Sequence, residues 1–114
     1  MTYKIESGSL IFKNGESVDF EYPVKKTVQI DDAIIVVTDA SKDKAHYQNV
    51  FAFKTSGDFL WRINDMSLFY DGPWCAWIGV TINKDGELVL FNWCDTAVVV
   101  NPTTGEVVRT WVTK

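Results

Sequence analysis

Val50-Phe51-Ala52-Phe53-Lys54-Thr55-Ser56-Gly57-Asp58-Phe59-Leu60-Trp61 decides the fold. Two apolar, β-rich runs flank a Thr-Ser-Gly-Asp turn, the pattern of an antiparallel hairpin in which the glycine takes the positive φ that closes the turn. The stretch recurs 48 residues later as Val98-Val99-Val100-Asn101-Pro102-Thr103-Thr104-Gly105-Glu106-Val107-Val108-Arg109. The shared centre is Thr-x-Gly-acid. Upstream of each copy lies a further hairpin, Gln29 to Val37 around Asp31-Asp32 and Thr81 to Leu90 around Lys84-Asp85-Gly86. Phe12-Lys13-Asn14-Gly15-Glu16-Ser17-Val18 repeats the outer hairpin a third time.

Working outward, the strand signal continues and the helix signal is nearly absent. Asn14-Gly15 separates Leu10–Lys13 from Glu16–Tyr22, whose Val18, Phe20 and Tyr22 alternate with Asp19 and Glu21. This predicts a tight hairpin that runs to Pro23. Ala33–Thr38 is β-branched and almost wholly apolar, so it reads as a central strand covered on both faces. A polar loop from Asp39 to His46 precedes a predicted strand over Tyr47–Phe53. Residues 64–76 are the least regular, and Asp71-Gly72-Pro73 breaks any helix there. Trp77–Ile82, Glu87–Trp93, Ala97–Val100 and Val107–Val112 complete the set. The 114 residues predict one all-β domain, 1–114, large enough to hold its own core.

Four short strands in each unit of about 40–50 residues is the spacing of a propeller blade. The outer hairpins Ser56-Gly57-Asp58-Phe59-Leu60-Trp61 and Thr104-Gly105-Glu106-Val107-Val108-Arg109-Thr110-Trp111 resemble those of quinoprotein-type (PQQ-like) β-propellers. The second departs from that pattern, with its Trp two residues later. The resemblance implies an open half-propeller of about two and a half antiparallel blades, because closure takes at least roughly four. A two-layer β-sandwich is the alternative. A quinone would sit on the axis of a closed ring, so no cofactor is carried over. By repeat position Trp61 and Trp111 are expected in the core.

The net charge of −4 argues against nucleic acid as partner, since phosphates require Lys and Arg. Residues 63–108 hold Asp65, Asp71, Asp85, Glu87, Asp95 and Glu106 against Lys84 alone, a balance that steers a basic partner toward this half. No apolar run is long enough to span a bilayer as a helix, and the N-terminus lacks a secretory pattern, so the expected setting is the cytoplasm. Cys75 and Cys94 would stay thiols there, most simply as apolar filler; a cross-strand pair is the alternative. His46 stands alone, without the further ligands a metal site needs, and reads as a solvated loop residue. No nucleophile–base pair, phosphate loop or metal cluster is legible, which predicts a protein that binds rather than catalyses, with no catalytic, cofactor or metal residues.

The expected partner-binding residues are Asp65, Tyr70, Asp71, Trp74, Trp93 and Asp95. They combine aromatic anchors with carboxylates in and around the irregular stretch. Small size, acidity and this aromatic-acidic surface resemble bacterial toxin-immunity proteins, including those of contact-dependent growth inhibition systems. That resemblance implies an inhibitor that plugs the basic active site of a nuclease (RNase) toxin domain. A glycan- or peptide-binding module is the alternative. Oligomeric state stays open.

Overall fold

The computed structural model describes residues 3–6, 8–41, 46–63, 75–94 and 96–113, and the protein is all-β, with no helix among them. Eleven strands follow in chain order: β1 (Tyr3–Glu6), β2 (Ser9–Phe12), β3 (Ser17–Asp19), β4 (Val24–Ile30), β5 (Ala33–Thr38), β6 (Val50–Lys54), β7 (Phe59–Arg62), β8 (Trp77–Ile82), β9 (Leu88–Asn92), β10 (Thr96–Val100) and β11 (Val107–Val112). They form three antiparallel meanders, β1-β2-β3, β4-β5-β6-β7 and β8-β9-β10-β11.

The β4–β7 sheet is the middle layer. All six residues of β5 are buried, as the apolar run predicts, because the two faces serve two cores. Ile34 and Val36 pack with Leu10 and Phe12 of β2 and Phe53 of β6. Ala33, Ile35 and Val37 face the other way, into a cluster with Ala52, Trp61, Val80, Leu88, Leu90, Val98 and Val100. The alternation of a strand distributes consecutive side chains to opposite faces, so a middle-layer strand has no polar side. The outward face of the first sheet is different. The register places Lys4, Glu6, Ser9, Ile11, Ser17 and Asp19 there. Lys4 pairs with Glu6 at 3.1 Å, and Ser9 Oγ donates to Asp19. That mostly polar face ends the stack.

The tight turns that follow β2, β4, β6, β8 and β10 lie at one end of the strands, and the β1–β2 turn at Gly8 lies at the other. In four of them one pattern recurs: Gly15, Gly57, Gly86 and Gly105 each donate N–H to the carbonyl that opens the turn, Phe12, Lys54, Asn83 and Asn101 in order. All four glycines have positive φ. Asn14-Gly15 is therefore not a two-residue turn. Phe12 N–H pairs with Glu16 O, and Gly15 is the left-handed residue after a wider turn. The tips join neighbouring sheets: Asn14 Nδ2 donates to Ser56 O at 3.0 Å, and Trp61 Nε1 to Pro102 O at 2.8 Å.

Two strands are shorter than their sequence pattern. β3 stops at Asp19, and Phe20 N–H turns to Gly8 O. β6 begins at Val50 because residues 46–49 leave the ladder and serve as cross-links at the strand ends. Trp111 also differs from expectation. Trp61 is buried, whereas Trp111 is 37% exposed on β11, the edge strand of its sheet.

At the turn end, Arg109 grips Glu87 through two parallel bonds of 2.7 and 2.6 Å, and Asn83 Nδ2 adds a third at 3.0 Å. The Arg109 guanidinium holds the Glu87 carboxyl at about 2, down from 4.5. A depressed carboxyl contributes stability that is present above the unfolded value and lost as pH falls through the folded one. The window here runs from about 4.5 down to about 2. In Arg109→Ala, an NMR titration of the Glu87 carboxyl should give a value back in the ordinary carboxylate range. An unchanged low value would mean that Asn83 and the turn backbone suffice.

Candidate functional site: the loop end

The connections 20–23, 39–49, 63–76 and 93–95 leave and re-enter at the end opposite the glycine turns at Gly15, Gly57, Gly86 and Gly105. Binding residues concentrate on such connections when a rigid scaffold positions them. Here the scaffold is a ladder of buried side-chain bridges. Asn49 Nδ2 donates to Thr38 O at 2.7 Å and to Trp77 O at 2.8 Å, and Asn49 Oδ1 accepts Trp77 N–H at 2.9 Å. One amide thus ties β5 to the start of β8, across two sheets. His46 is buried rather than solvated: its Nε2 lies 2.7 Å from Thr38 Oγ1, and its ring stacks on Tyr22 at 4.1 Å between centroids.

The β9–β10 corner is braced in the same way. Asn92 is buried, and its Nδ2 donates to Cys75 O at 2.6 Å while its Oδ1 accepts Cys94 N–H at 2.9 Å. Trp93 N–H donates to Ala76 O at 3.0 Å. Cys75 and Cys94 are joined as a disulfide, Cα to Cα 5.8 Å, so the expectation of two separate thiols gives way to the cross-link. Sequence spacing could not reveal this, because the partners meet only once β8 and β9 pair. Closing a loop of about 20 residues stabilises by about 3 kcal/mol. A Cys75→Ser/Cys94→Ser double variant should lose that amount against the oxidised protein in urea melts. An unchanged midpoint would show that the hydrogen bonds alone hold the corner.

On this braced corner Trp93 is 70% exposed. It is the one predicted partner-binding residue among those described. Asp65, Tyr70, Asp71, Trp74 and Asp95 lie outside the described residues; Ile63, Cys75, Cys94 and Thr96, which flank them, all stand at the loop end. Trp77 by contrast is buried in the core between the middle and third sheets.

The sequence reading missed a second feature. A groove of about 380 Å³ opens between the segment that follows β3 and the β6–β7 hairpin, and its lining includes Asp19, Phe20, Glu21, Phe51, Phe59 and Arg62. Phe51 and Phe53 in alternation, with Phe59 returning, were the available signal. What the sequence did not reveal is that the short β3 leaves Phe51 half-buried and Phe59 exposed.

Comparison with the curated proteins and with the solved structures gives no match. Residues 1–112 match the family described as Domain of unknown function (DUF7957), and the chain belongs to that family.

Proposed function

We propose that the chain is an immunity protein that works in the cytoplasm by binding, not by turnover: it docks its loop end on a basic toxin domain, a nuclease, and blocks the active site. The observation that carries this reading is Trp93. A large aromatic side chain left 70% exposed costs solubility. A corner whose backbone is held by two asparagine bonds presents it pre-ordered, which lowers the entropy lost on binding. The net charge of −4 favours a partner that is basic because it holds phosphates. In a reducing compartment the two sulfurs would be thiols, and the Asn92 bonds would keep the corner in place.

The fold is read in the same proposal as an open half-propeller. The two four-stranded meanders would be complete blades, and β1–β3 a blade without its innermost strand. Supporting this are the consecutive strand order, the face-to-face stacking and the tip-to-tip bonds from Asn14 and Trp61. A layered β-sandwich accounts for the stacking but not for the repeated tips.

Co-expression with any toxin encoded immediately upstream tests the function. The wild-type chain should protect growth. Trp93→Ala should weaken binding of the purified toxin domain by about 2 kcal/mol, roughly 30-fold, while its melting temperature stays at the wild-type value. Absence of protection, or equal affinity of the variant, would contradict the reading.

A further inference from the structure

We infer that the groove beside β3 and β7 is a second binding site, for an extended peptide segment that carries large apolar side chains flanked by lysine or arginine. Three observations converge on that chemistry, and none of them depends on the immunity reading.

The first is an aromatic floor that rises from buried Phe53 through half-buried Phe20 and Phe51 to exposed Phe59. Phe20 and Phe51 lie 5.3 Å apart, Phe53 and Phe59 5.7 Å apart, and Phe59 is 59% exposed at the rim. The rings meet at 55° and 71°, so they form pockets between ring edges rather than a flat platform. Pockets of that shape suit inserted side chains; a sugar ring stacks on a flat face. The volume, about 380 Å³, sits near the lower end of ligand-site sizes, roughly 300 Å³ upward.

The second is the charge of the walls. Glu21 lines the groove, while the Asp19 carboxylate accepts from Ser9 Oγ on the outer face of the first sheet, and the arginine of the groove is already engaged: Arg62 lies 4.6 Å from the Phe51 centroid and its Nε donates to Gln48 O at 2.8 Å. A guanidinium committed to a ring and a carbonyl is poorly placed to neutralise Glu21. The opening therefore favours cationic side chains beside the apolar ones.

The third is the backbone. β3 and β7 are terminal strands of their sheets, and both border the groove. An extended segment between two strand edges can pair its main chain while alternate side chains point into the floor. Alternation also places a basic residue next to each apolar one, where Glu21 stands.

The test uses the full chain and fluorescence anisotropy with two labelled peptides, one alternating lysine and tryptophan, the other glutamate and tryptophan. The lysine peptide should bind and the glutamate peptide should not. Phe59→Ala and Glu21→Lys, both at exposed positions that leave the core intact, should each weaken binding at least ~10-fold. Trp93→Ala should bind the lysine peptide as wild type does, which separates this site from the corner. Equal binding of the two peptides, no binding of either, or a loss with Trp93→Ala but not with Phe59→Ala would overturn the inference. So would binding of chitohexaose, abolished by Phe59→Ala, in place of the peptide. Growth protection by Phe59→Ala reports on the corner alone, so the two readings fail separately.

Discussion

Asn49→Ala should unfold at a markedly lower urea concentration, with a loss of about 4 kcal/mol and an unchanged slope. The side chain is fully buried and makes three bonds, to Thr38 O, Trp77 O and Trp77 N–H. Truncation leaves two carbonyls and one N–H without these partners in a region closed to bulk water. Each such group costs about 1–3 kcal/mol, and part of the sum is recovered if water enters the space. Asn49→Asp keeps the acceptor, loses both donated bonds and buries a charge, so it should be at least as damaging. For a domain whose total stability is of the order of 5–15 kcal/mol, either change removes a large share. A loss below about 1 kcal/mol would mean that the two sheets are joined at this end by packing alone.

Trp61→Ala should cost about 4 kcal/mol, the usual range for deleting a buried indole. Trp61 does two things. Its ring fills the core between the middle and third sheets, and it lies against Gly105, where an added Cβ would come within 2.7 Å of the indole. Its Nε1 bonds Pro102 O in the same turn. Trp61→Phe separates the roles. It keeps most of the packing and loses the bond, for about 1 kcal/mol plus the difference in volume. At Trp111, which is 37% exposed, the same truncation should cost no more than about half as much. Equal losses at the two positions, read from urea midpoints, would contradict the burial that distinguishes them.

These two residues mark how far the sequence could be read. The buried central strand was legible because Ala33–Thr38 has no polar alternation. The tight turns were legible because each carries Gly or Asp where φ turns positive. The widths of those turns were not. Asn14-Gly15 suits a two-residue loop as well as the wider one it adopts, and the choice is made by the Glu16–Phe12 pairing. Trp61 and Trp111 look alike in the repeat, and only the packing of the Pro102–Gly105 turn on Trp61 tells them apart. His46 reads as a solvated loop residue because polarity predicts exposure, and Asn49 reads as one position of the strand expected over Tyr47–Phe53 rather than as a cross-link. Their partners, Thr38 and Trp77, are brought near by strand pairing and sheet stacking, which single-residue reasoning does not see. The candidate site was legible in part: Trp93 stood out as an aromatic near a corner, but the Asn92 brace and the cross-link from Cys75 emerge only from the pairing of β8 with β9. The groove was hidden for a different reason. It exists because β3 ends early, and the alternation of Val18, Phe20 and Tyr22 suggested that it would not.

The account holds that the molecule has a turn end that stabilises and a loop end that binds. Hydrogen–deuterium exchange of the chain with and without the basic toxin domain proposed as its partner tests this most directly. Slower exchange in the complex at residues 75–77 and 92–94, with the tips at Gly15, Gly57 and Gly105 unaffected, is the predicted result. Protection confined to the tips, with the Trp93 corner exchanging as in the free chain, would contradict it.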